Sequence, residues 1–199
     1  MNQSFFHLIF VFVFVSFTVI RAYYHWLATH TRGQIEYKEG KLHTALRLTF
    51  GIPFMLVLVA YMIRPGILSW ARLELPAWVQ WIGVALGLAS LPMIGWVQWA
   101  LGSNFSTTLH VRQEHTLVTA GPYRWVRHPM YTVLYLHMAA VFLLTENWLI
   151  GGVFLSALTL IVALRIRNEE ATMIEKFGEG YRAYMRQTGR FLPRFNSGV

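Results

Sequence analysis

The chain has 199 residues, 55% of them hydrophobic and only 13% charged, where a soluble domain carries about a quarter charged. Its 17 Lys+Arg against 9 Asp+Glu give a formal net charge of +8, which in so apolar a chain reads as basic loops beside anionic lipid rather than a nucleic-acid surface. The absence of cysteine excludes disulfides, thiolate metal sites and Cys nucleophiles.

A transmembrane helix needs about 20 mostly apolar residues. Five segments qualify: residues 5–27, 46–63, 78–101, 129–145 and 148–166. A signal peptide is the rival reading of the first, but MNQS offers no basic lead and no small-x-small site follows the apolar run. Residues 65–74 read as interfacial, with Trp70 and Trp78 as belt anchors. Gly83 and Gly87 in GVALG suit close helix packing better than phosphate binding. Only Glu146 and Asn147 separate the last two spans, which predicts a tight antiparallel hairpin.

Basic residues set the orientation. Arg32, Lys38, Lys41, Arg47, Arg112, Arg124, Arg127, Arg165, Arg167, Lys176, Arg182, Arg186, Arg190 and Arg194 fall on one side. Arg64 and Arg72 fall on the other. This bias predicts an integral, multi-pass protein with its N-terminus outside and its C-terminus in the cytoplasm. The expected architecture is all-α: a polytopic membrane helix bundle of about five transmembrane helices. Residues 168–187 read as a cytoplasmic amphipathic helix, because Met173, Ile174, Phe177, Tyr181, Tyr184 and Met185 recur at spacings of three and four. Gly178 and Gly180 weaken it locally. The whole chain is read as one membrane domain, with three spans over 1–101 and a polar, chemistry-bearing part over 102–199.

Titratable residues concentrate in two places on the cytoplasmic side. Residues 110–131 read HVRQEHTLVTAGPYRWVRHPMY, and 165–170 read RIRNEE. In Arg127-His128-Pro129, the proline suits a first helical turn. The backbone N–H groups behind it suit an anionic ligand, although the pair before it equally suits a plain membrane boundary. Arg165 and Glu169 stand four apart, so an intrahelical salt bridge is as good a reading as a ligand site. The like-charged Glu169-Glu170 pair needs a cation nearby, from Arg165, Arg167 or a ligand. His110, His115 and His128 have no compact metal-ligand spacing, so no metal is expected. There is no P-loop, no GxSxG and no Asp in the chain, which leaves Ser/His/Asp chemistry and dinucleotide folds unsupported.

The ordered set G-x-Y-x-x-x-R-H-P-x-Y, R-x-x-x-E-E, F-G-x-x-Y-x-x-Y and a late proline, over roughly residues 104–195, resembles the isoprenylcysteine carboxyl methyltransferase family. Phospholipid N-methyltransferases share the signature. The resemblance implies S-adenosyl-L-methionine as cofactor, held without a Rossmann domain at the cytoplasmic ends of the last two spans. It implies cofactor contacts from His115, Thr116, Leu117, Val118, Tyr123, His128, Pro129, Tyr131, Glu169 and Glu170, with His110 at a loosely aligned position. Arg165 matches the catalytic arginine on the substrate side. The implied partners are a lipid-like or prenylated acceptor and membrane lipids, with no nucleic acid. The implied reaction is carboxyl O-methylation, with amine N-methylation as the alternative. A nicotinamide-dependent reductase of the sterol reductase type is a further alternative. The family often has Gly where this chain has Val133, which bears on acceptor size and access.

Overall fold

The computed structural model describes residues 3–30, 52–102 and 117–194. Among them the regular structure is helical throughout. Helix α1 (Gln3–His30) is followed by α2 (Ile52–Ile63), a 3₁₀ segment (Pro65–Ala71), α3 (Ala77–Leu101), a 3₁₀ turn (Gly121–Arg124), α4 (Pro129–Thr145), α5 (Trp148–Phe177) and α6 (Glu179–Gln187). Among the described residues three helices are long and apolar enough to cross a membrane: Gln3–Ala28, Ala77–Leu101 and Trp148–Phe177. Helix α4 is apolar but shorter, at 17 residues. Outward-facing apolar side chains such as Leu8, Phe12, Val19, Leu160 and Leu164 are exposed, as expected of a bundle whose solvent is lipid.

Helix α3 packs most extensively on α4, then on α1, and α4 packs on α5. The glycines of GVALG explain the closeness. A Cβ on Gly83 would stand 3.0 Å from both the Leu143 Cβ and the Leu144 backbone nitrogen, and one on Gly87 3.0 Å from a Val13 methyl. Two apolar clusters fill the seams. One joins Phe6, Phe10 and Leu58 to Val141 and Ile150. The other joins Phe17, Ile94, Val97, Tyr123 and Val133. Val133 is therefore a core residue turned toward α1 and α3. Deep in the same seam, His137 is sealed from solvent, and Phe17 stacks on its ring at 3.8 Å.

The hairpin after α4 is as tight as its sequence demands. Glu146 takes a left-handed φ of 49°, and the Asn147 side chain caps α5 by accepting from the Ile150 N–H at 3.1 Å. The sequence did not disclose what anchors it. Arg72 donates to Glu146 at 2.8 Å, and Asn147 donates to the Leu68 carbonyl at 2.9 Å, tying the hairpin to the 3₁₀ segment.

Helix α5 departs from the sequence expectation. The span expected over 148–166 and the tail helix expected over 168–187 do not meet at a break. The helix runs on without interruption to Phe177. Hydropathy falls at Arg165, but Arg, Glu, Ala, Met and Lys are good helix formers, so nothing stops the helix there. The stop comes at Gly178, whose φ of +55° lies in the left-handed region open to glycine. Only residues 179–187 form the separate α6. At 30 residues, α5 is about 45 Å long against an apolar core of about 30 Å, so it carries RIRNEE beyond the apolar stretch.

Candidate active site

The site begins at the N-terminus of α4. Pro129 occupies the first helical position, and the His128 carbonyl accepts from the N–H groups of Tyr131 (3.1 Å) and Thr132 (3.3 Å). Tyr131 lies one turn in and faces α5. Its hydroxyl donates to Glu169 Oε1 at 2.7 Å. Arg165, one turn back along α5, places Nε 3.3 Å from the same oxygen. The expected intrahelical salt bridge between Arg165 and Glu169 is present, and it sits inside a converging polar cluster.

His128 stands between the two glutamates. Its Nδ1 is 3.7 Å from Glu169 Oε2 and its Nε2 is 3.4 Å from Glu170 Oε1. The glutamates nevertheless differ in kind. The Glu169 side chain is 21% exposed, and among the described residues its Oε2 meets only that distant imidazole. The Glu170 side chain is 6% exposed and saturated: Arg127 Nε and Arg190 Nε each lie 3.2 Å from Oε1, and Arg190 Nη2 pairs with Oε2.

A strap following α6 completes the site. Arg127 N–H donates to the Gly189 carbonyl at 2.8 Å, His128 N–H to the Arg190 carbonyl at 3.1 Å, and Gly189 N–H to the Trp125 carbonyl at 3.2 Å. Arg127 Nη1 donates to the carbonyls of Met185 and Thr188, and Thr132 Oγ1 to the Phe191 carbonyl at 2.7 Å. Tyr184 of α6 donates to the Tyr123 carbonyl at 2.6 Å, fixing α6 to the 3₁₀ turn. Burial pushes the Tyr184 hydroxyl up to about 12, with Arg127 and a Thr188 hydrogen bond opposing, so it stays a neutral donor at ordinary pH. None of the strap contacts was visible in the sequence, because their partners lie about 60 residues apart, as with Arg127 and Thr188.

Of the residues singled out from sequence, the structure brings Arg165, Glu169, Glu170, His128, Pro129 and Tyr131 together. Tyr123 is buried in the α1/α3/α4 seam, with Val118 packed against the same cluster. Leu117 lines a separate recess with Thr119, Arg124 and Tyr184. His110, His115 and Thr116 lie outside the described residues, which also leaves the metal expectation untested at His110 and His115.

The chain resembles known proteins over this region. Residues 83–175 match the model of the isoprenylcysteine carboxyl methyltransferase (ICMT) family. The match starts inside α3, earlier than the motifs alone suggested. An uncharacterized protein of Bacillus subtilis, YpbQ, is 28% identical over 72% of this chain and 80% of its own. The protein-S-isoprenylcysteine O-methyltransferase of Rattus norvegicus is 28% identical over 65% of this chain and 46% of its own. The cobalt-zinc-cadmium resistance protein CzcN of Cupriavidus metallidurans is 31% identical over 60% and 53%. The chain thus spans about half the length of the named methyltransferases it matches. The solved eukaryotic intramembrane Ras methyltransferase ICMT shares the fold, with a TM-score of 0.58 at 19% identity, covering 93% of this chain and 67% of that one. Over residues 83–175 the chain is similar to the isoprenylcysteine carboxyl methyltransferase family, and over 93% of its length it shares the fold of that family's solved eukaryotic member.

Proposed function

We propose that the chain is an integral membrane methyltransferase that uses S-adenosyl-L-methionine and acts on a lipid-like acceptor, foremost a carboxylate of the isoprenylcysteine type. One observation carries this reading. Glu169 presents a partly exposed carboxylate, fixed by Tyr131 and Arg165, where α4 and α5 leave the apolar zone. The donor set fits the cofactor: Glu169 Oε2 has acceptor capacity left for an ammonium or ribose hydroxyl, and the His128 and Tyr131 rings, 5.9 Å apart, offer flat surfaces beside it. When bound, the cofactor supplies an electrophilic methyl group, so the protein's task is to orient two reactants and exclude water. Glu169, held by Tyr131, fixes the cofactor side. Arg165 holds an anionic acceptor head, while the acceptor's apolar tail reaches the site sideways from lipid along α4 and α5.

Orientation belongs to the same proposal. The bundle crosses five times, with α2 and the short α4 counted among the spans, the N-terminus outside and the site cytoplasmic. The 17 residues of α4 extend about 26 Å, close to the apolar thickness. The test is transfer of a labelled methyl group from S-adenosylmethionine to an N-acetylated S-prenylcysteine by the purified chain in lipid. The expected product is a base-labile methyl ester. A base-stable N-methyl product from an aminophospholipid would instead assign the amine reaction.

A further inference from the structure

The strap borders an open recess of about 360 Å³ whose lining includes Arg127, Met185, Arg190, Leu192, Pro193 and Arg194. Three arginines line it. Among the described residues the one carboxylate that meets them is Glu170, paired to Arg127 and Arg190. Arg194 donates one Nη1 hydrogen to the Arg186 carbonyl and meets no carboxylate among the described residues. The count leaves the recess positive by two charges, with N–H donors to spare. Each guanidinium carries five N–H groups; Arg127 commits three and Arg194 one.

The depth of the recess points to its occupant. Arg127 lies two residues before Pro129, the first residue of an apolar helix. Among the residues lining the recess stands one large apolar side chain left open, Leu192, which is 72% exposed. A surplus of guanidinium donors flanked by an exposed leucine, close to where an apolar helix begins, has the chemistry of a lipid headgroup site. We infer that this recess binds the phosphate of an anionic membrane lipid, with Leu192 against the lipid's glycerol and first acyl carbons. A free phosphate would use the same donors but gain nothing from Leu192. The recess adjoins the Glu169 cluster through Glu170 and His128, but the inference does not depend on the methyltransferase reading.

The experiment is thermal melting of the full chain in neutral detergent, titrated with dihexanoyl phosphatidylglycerol, dihexanoyl phosphatidylcholine, inorganic phosphate and S-adenosylhomocysteine in separate arms. Phosphatidylglycerol is expected to raise the melting temperature saturably, at a midpoint at least tenfold below those of phosphatidylcholine and inorganic phosphate. Arg194 has one partner among the described residues, the Arg186 carbonyl, so Arg194→Gln should move that midpoint about tenfold upward while leaving the unliganded melting temperature in place. Leu192→Ser should weaken phosphatidylglycerol and leave inorganic phosphate unchanged. Glu169→Gln should leave the phosphatidylglycerol titration as it is. Equal protection by both lipids, inorganic phosphate saturating as early as phosphatidylglycerol, a wild-type titration in Arg194→Gln, or competition by S-adenosylhomocysteine would each overturn the proposal.

Discussion

Two adjacent glutamates carry different burdens, and neighbouring chemistry explains why. Their like charge, read from sequence, demanded cations nearby. Arg165 answers for Glu169, as the four-residue spacing allowed. The cations on Glu170 come from Arg127 and Arg190, not Arg167, and no local pattern announces partners 43 and 20 residues away. A buried carboxylate saturated by two guanidiniums is a structural node. Removing its charge leaves Arg127 buried without compensation, which costs about 3 kcal/mol, the low end for a buried pair, because the Arg190 side chain is 44% exposed. Glu170→Gln should therefore lower the melting temperature clearly. Glu169→Gln loses a partly exposed contact and should melt near wild type, yet weaken S-adenosylhomocysteine at least tenfold in a calorimetric titration. If the two variants exchange phenotypes, the roles assigned to them are reversed.

At the scale of elements, helices α1, α3 and α4 were legible because their apolar runs end at polar, glycine or proline boundaries. The lower end of α5 was not, since a polar run of good helix formers changes the surroundings of a helix without ending it. Close approach of α3 to α4 was foreshadowed by the glycines. Gly83→Val should cost about 1–3 kcal/mol through overpacking, because the added Cβ meets the Leu144 backbone at 3.0 Å. Gly95→Ala in the same helix meets nothing within 4 Å and should be neutral or slightly stabilising. Comparable melting shifts for the two would contradict this packing. The docking of α6 has a pH signature as well. The Tyr184 hydroxyl is raised in the fold to about 12, above its unfolded value of about 10. Its contribution is complete below the unfolded value and declines as pH rises through the folded one. Thermal stability should fall between about pH 10 and 12, and Tyr184→Phe should flatten that part of the profile.

For the molecule as a whole, the basic-residue bias and the apolar runs made the membrane class and an all-helical fold readable before any coordinates. The strap was not readable, because it is made of backbone hydrogen bonds between distant segments. Orientation can be checked directly, since the chain has no cysteine and two exposed glycines, Gly66 and Gly180, have open space for a side chain. In intact cells an impermeant maleimide should label Gly66→Cys and spare Gly180→Cys until the membrane is opened. The reverse pattern would invert the proposed topology.

We propose the α4–α5 rim as a cofactor site for S-adenosylmethionine. Its most direct measurement is calorimetric titration of the purified chain with S-adenosylhomocysteine, alongside NADPH. Saturable binding of the sulfur nucleoside, one site per chain and no heat from NADPH, is the expected result. Binding of NADPH with none of S-adenosylhomocysteine would contradict the account and assign the rim to a reductase.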